Sequence, residues 1–311
     1  MTEPTTAEPE TLVHAAPPRR RRFAGALGAV IILFGTFGLW LFAACAELFW
    51  YDQHGSRLVI VALASLPASA ALIWVMSRRL RPTDGLSRWA LVLIATAGGF
   101  VALIIPSLTE PPWERWVESL DLPALAPVIA GPLEETVKLA VVVIVARWLT
   151  VRTARSGLFV GGAVGAGYAV FENIDFAWNA ANRGGSAFSP EQHLATMVRV
   201  AIERNVFDPF AHPLWTALAA AALFAGMRGG RIRITPLAVG GWAVAVILHS
   251  LWDDLPDFFE TPLVNSPFLA FVAVFGWGVL LSVVGFVIWL FVARRANRVD
   301  VVVPAEVTIP A

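Results

Sequence analysis

The chain has few of the residues that characterise soluble proteins. Its 311 residues contain one cysteine and only 15% charged side chains. A single cysteine, Cys45, excludes an intrachain disulfide and a cysteine-rich zinc site. A soluble domain has about 25% charged residues, so the charge content argues against that class. The formal net charge is zero, and we therefore expect no nucleic-acid partner.

Apolar residues are abundant instead. They make up 57% of the chain, and the mean hydropathy is +0.68. A helix needs about 20 mainly apolar residues to cross a bilayer, and eight segments approach or exceed that length. The predicted spans are residues 23–48, 58–76, 89–108, 123–149, 157–178, 206–227, 234–251 and 268–293.

Arginine clusters predict the orientation of these spans. They precede the first span, follow every second span and follow the eighth, which places both termini in the cytoplasm by the positive-inside rule. The sequence thus predicts an all-α, polytopic membrane helix bundle of about eight transmembrane helices in the cell (plasma) membrane. Residues 1–18 are predicted to be a disordered cytoplasmic tail, residues 19–293 the membrane domain and residues 294–311 a cytoplasmic C-terminal tail.

The connection over residues 179–205 is an exception to the positive-inside rule, because its residues Arg183, Arg199 and Arg204 lie on the extracytoplasmic side of the predicted topology. Ser189, followed by Pro190 and Glu191, resembles the start of a capped helix. Apolar residues then recur at helical spacing. We expect an amphipathic helix on the outer membrane surface, either as a packed loop helix or as a lid near a site.

Three charged residues interrupt the fourth span: Glu134, Glu135 and Lys138. Each charged group at the centre of a membrane helix costs about 2.5–3.5 kcal/mol. Lys138 is spaced to pair with either glutamate, at i,i+4 or i,i+3. Such a group of residues indicates a functional site by default.

The next three spans carry further polar residues, namely Glu172 with Asn173, His212 with Thr216, and His249 with Asp253. A helical rise of 1.5 Å per residue places these side chains in one layer, in the outer half of the membrane. His249 and Asp253 share a helix face, so that Asp253 could orient the imidazole.

Glycines recur every fourth residue in the fifth span, at Gly157, Gly161 and Gly165. This spacing of small residues allows a neighbouring membrane helix to approach closely. We expect that contact to lie just below Glu172.

Four ordered motifs give the chain a family resemblance over about residues 130–254. Glu134, Glu135 and Lys138 match an EExxK motif, and Phe171, Glu172 and Asn173 match a Phe-Glu-Asn motif. His212 with Thr216 and His249 with Asp253 match the third and fourth motifs. The chain therefore resembles the PrsW family of intramembrane proteases, in the wider group of CAAX-prenyl endopeptidases and bacteriocin-processing membrane proteins.

The resemblance implies hydrolysis of peptide bonds in or at the edge of the membrane, with a catalytic core at about residues 123–254. We expect Glu134 or Glu135 to activate a water molecule that His212 and Glu172 hold. His249, together with Asn173, would stabilise the oxyanion or protonate the leaving amine. The supporting residues would be Lys138, Phe171, Asn173, Thr216 and Asp253. The expected partners are the lipid bilayer and a membrane-protein or peptide substrate, such as an anti-sigma factor.

Whether a metal takes part is left open by the sequence. Glu172, His212 and His249 form a competent set for a single zinc ion, with a fourth position left for water. The chain has no HExxH motif, so these ligands would come from three helices. The same residues can also support a metal-free mechanism based on glutamate.

Two alternatives come from other functional classes. Glutamate and histidine chains inside membranes also form the relays of proton- or ion-coupled transporters. Transporters usually contain internal repeats, and this sequence shows none. The remaining alternative is a membrane scaffold that uses these residues for packing alone.

Overall fold

The computed structural model describes residues 54–79, 88–122, 129–149, 152–207, 210–227, 231–259 and 267–299. The regular structure within these ranges is helical, which confirms the all-α prediction. The first predicted span (23–48) and the tail residues 1–18 and 300–311 lie outside the described residues.

Ten α-helices are described. Their bounds are α1 His54–Ser65, α2 Pro67–Arg79, α3 Arg88–Leu93, α4 Gly99–Ser119, α5 Ala130–Ala146, α6 Ala154–Arg183, α7 Pro190–Phe207, α8 Ala211–Ala225, α9 Pro236–Phe259 and α10 Pro267–Val299. A π-helical turn, Ile94–Gly98, joins α3 to α4 without a break.

Four helical segments are long and apolar enough to cross a membrane: Ala90–Ser119, Ala154–Arg183, Pro236–Asp253 and Gly276–Ala296. Helices α1 and α2 form a further candidate span that is bent by 41°. Helix α8 is apolar but shorter, and α5 carries three charges in 17 residues. The multi-pass helical architecture is thus confirmed, whereas the total of eight spans and the position of the termini remain predictions.

Helix α4 is longer than the sequence indicated. The acidic stretch after residue 108, with its proline pair, has the composition of a loop. The helix nevertheless continues through Pro111 and Pro112 to Ser119. Proline fixes φ near −65°, a helical value, so the pair can remain within the helix although each proline removes one backbone hydrogen bond. As a consequence, Glu110 lies on a helix and not in a loop.

The glycine repeat of α6 lies against α8; the sequence predicted a close contact with a neighbouring helix and did not specify which one. A Cβ atom at Gly157 or Gly161 would lie 2.5 Å from a backbone carbonyl oxygen of α8. At Gly165 it would meet the backbone of His212. Because the two backbones are in contact, α8 holds His212 beside Glu172, two helical turns beyond Gly165.

Replacing Gly165 with alanine should therefore destabilise the protein. An added methyl group against rigid backbone costs about 1–3 kcal/mol, and it would push His212 away from Glu172. Thermal unfolding in detergent measures this effect. Gly240→Ala is the matched control, because its Cβ meets nothing within 4 Å and alanine is the better helix former by about 0.5–1 kcal/mol. Equal melting temperatures in the two variants would contradict the close α6–α8 contact.

Helix α7 is the helix predicted in the long connection. Its N-terminus has a reciprocal cap, in which Ser189 N donates to Gln192 Oε1 at 2.7 Å and Gln192 N donates to Ser189 Oγ at 3.3 Å. Its buried residues Leu194, Met197 and Ala201 pack in one apolar cluster with α1 and α6. The helix is therefore docked on the bundle through its apolar face.

Candidate active site and metal centre

The polar residues predicted from four spans form one buried cluster between α5, α6, α8 and α9. Eight of them are buried: Glu134, Glu135, Lys138, Glu172, Asn173, His212, Thr216 and His249. Asp253 lies at the edge of the cluster with its side chain 25% exposed. Charged groups that are this deeply buried need close partners, and the side chains of the cluster supply them to one another.

Lys138 is the centre of this cluster. Its Nζ donates hydrogen bonds to Glu135 Oε1 at 2.8 Å and to His212 Nδ1 at 2.9 Å. It also forms an ion pair with Glu134 Oε2 at 3.1 Å and lies 3.8 Å from the centre of the Tyr168 ring. Sequence spacing allowed Lys138 to pair with either glutamate, and the structure shows that it contacts both.

Glu135 accepts hydrogen bonds from three sides. Its Oε1 contacts Lys138 Nζ and also His249 Nδ1, at 3.1 Å, and its Oε2 accepts from Thr216 Oγ1 at 3.3 Å. The side chain is fully buried. A carboxylate that accepts the Nδ1–H of an imidazole fixes the orientation of the ring, so Glu135 directs His249 Nε2 towards the rest of the cluster.

Glu134 has a different environment, because consecutive residues of a helix point about 100° apart. Its Oε2 lies 3.1 Å from Lys138 Nζ and 3.4 Å from His249 Nε2. Neither contact has the geometry of a hydrogen bond, so this buried oxygen has no hydrogen-bond partner.

The two imidazoles also present Nε2 atoms without hydrogen bonds. His212 Nε2 lies 2.9 Å from Glu172 Oε2, and His249 Nε2 lies 3.2 Å from Asp253 Oδ2. Buried polar atoms that are close together but not hydrogen-bonded need an explanation. Binding of one shared cation is an explanation that the chemistry of these atoms allows.

The geometry fits a metal ion. Glu134, Glu172, His212 and His249 each offer one ligand atom, and these four atoms lie within 4.8 Å of one another. Tetrahedral zinc with ligands at about 2.0–2.2 Å holds them about 3.3–3.6 Å apart, so small adjustments would suffice. Three of these residues form the ligand set that the sequence indicated if a metal takes part, and Glu134 was expected only as a catalytic residue.

Asn173 and Phe171, the neighbours of Glu172, lie in different surroundings. Asn173 Oδ1 accepts a hydrogen bond from Arg204 of α7. The Phe171 ring packs edge-on against Phe100 of α4, with ring centroids 5.3 Å apart. Phe171 thus links α6 to α4 and makes no described polar contact with the cluster.

Three residues of the site region were not identified from the sequence. Arg204 was noticed only as an exception to the positive-inside rule, and that exception was its signal. Tyr168 gave no signal beyond its position one turn before Glu172. Glu110 was assigned to a loop, but its buried Oε1 lacks a hydrogen-bond partner. Its carboxylate also interacts electrostatically with the site, including Glu134 and His249.

A family model described as "PrsW family intramembrane metalloprotease" matches residues 86–280, more than half of the chain. This range contains every residue of the buried cluster. No curated protein and no solved structure matches the chain.

Proposed function

The chain belongs to the PrsW family of intramembrane metalloproteases, and from this premise we propose that it cleaves membrane proteins near the extracytoplasmic face of the membrane. It is a multi-pass membrane protein and a protease. The family match supports this activity and not the transporter alternative. The observation that carries the proposal is the convergence of four ligand atoms from four helices within 4.8 Å.

We assign the metal to Glu172, His212 and His249. A catalytic zinc site has three protein ligands and keeps one position for water or substrate. Four candidate ligands are one more than this arrangement needs. Glu134, whose Oε2 has no hydrogen-bond partner, is then the carboxylate left beside the water position. When bound, zinc would activate the water and polarise the peptide carbonyl.

The residues of the chain account for the proton transfers. Glu134 accepts a proton from the attacking water and delivers it to the amide nitrogen as the C–N bond breaks. Glu135 keeps the His249 ring oriented through Nδ1. Lys138 offsets part of the negative charge of the two adjacent carboxylates. Burial excludes bulk water, and this strengthens each electrostatic interaction.

The predicted position of the site supports the proposed substrate class. A buried cluster that is predicted to lie in the outer half of the membrane suits a substrate that is itself held in or at the membrane. Single-pass membrane proteins, such as those of the anti-sigma-factor type, are held in the membrane in this way. The plasma membrane is the proposed location.

A reconstituted cleavage assay tests the proposal. The protein in liposomes is mixed with a fluorescent single-pass substrate, before and after treatment with a zinc chelator and again after added Zn²⁺. We expect cleavage that the chelator abolishes and zinc restores. Cleavage that survives exhaustive chelation would show the metal-free glutamate mechanism instead. Proton transport without cleavage would refute the protease assignment.

A further inference from the structure

Arg204 connects helix α7 to the candidate active site. One guanidinium donates from Nη2 to Glu172 Oε2 and from Nε to Asn173 Oδ1, the latter at 2.5 Å. Its Cζ lies 4.0 Å from the centre of the Phe176 ring. The side chain is only 14% exposed, so these contacts are screened from bulk solvent.

The two contacts of Arg204, with Glu172 and Asn173, depend on the shape of its guanidinium group. The group is planar and presents several N–H donors in fixed directions. Glu172 and Asn173 are consecutive on α6 and point about 100° apart, and Arg204 contacts both at once. A lysine ammonium has the same charge but lacks the fixed fork, so it would not hold both side chains in the same geometry.

The carboxylate of Glu172 is therefore held from two sides. Its Oε2 contacts Arg204 Nη2 and lies 2.9 Å from His212 Nε2. Without the guanidinium, rotation about the side-chain bonds of Glu172 would carry the carboxylate away from the imidazole. The arginine also lowers the excess of negative charge among the three clustered glutamates.

We propose that Arg204 is a positioning residue that holds the Glu172 carboxylate in its metal-binding geometry, so that docking of α7 completes the active site. This inference rests on the proposed zinc-dependent peptidase. Ala201, one turn before Arg204, is fully buried against the bundle. The apolar face of α7 thus fixes where the arginine enters the site.

Helix α7 also provides a matched control. Arg199 lies on the same helix, its side chain is 69% exposed and its contact with Glu203 is 3.9 Å long. Exposed pairs of this kind contribute little to stability. Arg199→Met therefore removes the same chemical group from α7 without touching the site.

The experiment compares Arg204→Met, Arg204→Lys and Arg199→Met with the unmodified protein. Zinc affinity is measured by competition with a chromophoric chelator, kcat and KM by substrate cleavage, and folding by thermal unfolding. For Arg204→Met we expect zinc affinity and kcat at saturating zinc to fall about 10- to 100-fold, with little change in KM. Arg204→Lys should recover only part of both losses, and Arg199→Met should match the unmodified protein.

Each outcome decides between the alternatives. An Arg204→Met variant that melts earlier but keeps its zinc affinity and kcat would show a purely structural arginine and overturn the inference. Full recovery in Arg204→Lys would show that charge alone matters and overturn the positioning role. If the unmodified protein cleaves without metal, the metal-positioning role of Arg204 is overturned, even where kcat falls in Arg204→Met. If it neither binds zinc nor cleaves, the proposed function fails, and the inference with it.

Discussion

Replacing Glu134 with glutamine should lower kcat by about 10²- to 10⁴-fold, the usual contribution of a general base, and leave bound zinc in place. Glutamine has nearly the shape of glutamate but cannot accept the proton of the attacking water. The other three glutamate and histidine side chains that could hold the ion remain unchanged. Loss of activity without loss of metal is the result that identifies a base.

The choice of Glu134 over Glu135 follows from their partners. Glu135 already accepts from Lys138, His249 and Thr216, so a water proton would have to displace one of these donors. Glu134 Oε2 has close neighbours but no hydrogen bond. We therefore expect Glu135→Gln to act through the orientation of His249, with a smaller loss of about 10- to 100-fold.

Zinc content and cleavage rate, measured on the same preparations, test this assignment. Glu172→Gln is the reference for a lost ligand, and it should reduce both. If Glu134→Gln also loses its zinc, Glu134 is a ligand and not the base. If Glu135→Gln retains zinc and shows the larger loss of kcat, the two roles are reversed.

The sequence predicted most of this cluster because the cost of a buried charge is a local property. Glu172, His212 and His249 each stand out in an apolar helix, whatever its neighbours are. The glycine repeat of α6 further indicated a close contact with another helix. What the sequence could not show is how α5 is rotated about its axis, and that rotation alone distinguishes the surroundings of Glu134 from those of Glu135.

Glu110 and Arg204 were missed for a different reason. Each lies in a segment that composition assigned to a loop or to the membrane surface. Arg204 contacts the site, and Glu110 lies on a helix, only through the packing of the helix that carries it. For Glu110, the proline pair that follows it indicated a helix end, yet helix α4 continues. Long-range contacts of this kind are not encoded in spacing along one element.

Replacing Lys138 with methionine should cause the largest loss of stability, about 3–5 kcal/mol, because removing one member of a buried ion pair leaves uncompensated charge. Methionine fills much of the lysine volume, so lost packing contributes little. Glu134 and Glu135 would lose their common cation, and His212 Nδ1 would lose its donor. Denaturant titration in mixed micelles, with the bound metal first removed, measures the loss.

The double variant Glu135→Gln with Lys138→Met separates charge from packing. Replacing both members of a buried pair by neutral groups is often close to neutral in stability. The double variant should therefore recover the part of the loss that comes from Glu135, while Glu134 still lacks its cation. It should not recover cleavage, since His249 Nδ1 keeps an acceptor but the lysine contacts with His212 and Glu134 are gone.

Equal stability of Lys138→Met and the unmodified protein would contradict the buried ion pairs. If added zinc reduces the difference in unfolding free energy between Lys138→Met and the unmodified protein, the bound ion supplies the positive charge that Lys138 supplied. Lys138 would then be the group that stabilises the cluster before the metal binds. The protein could therefore fold without the metal ion that catalysis requires.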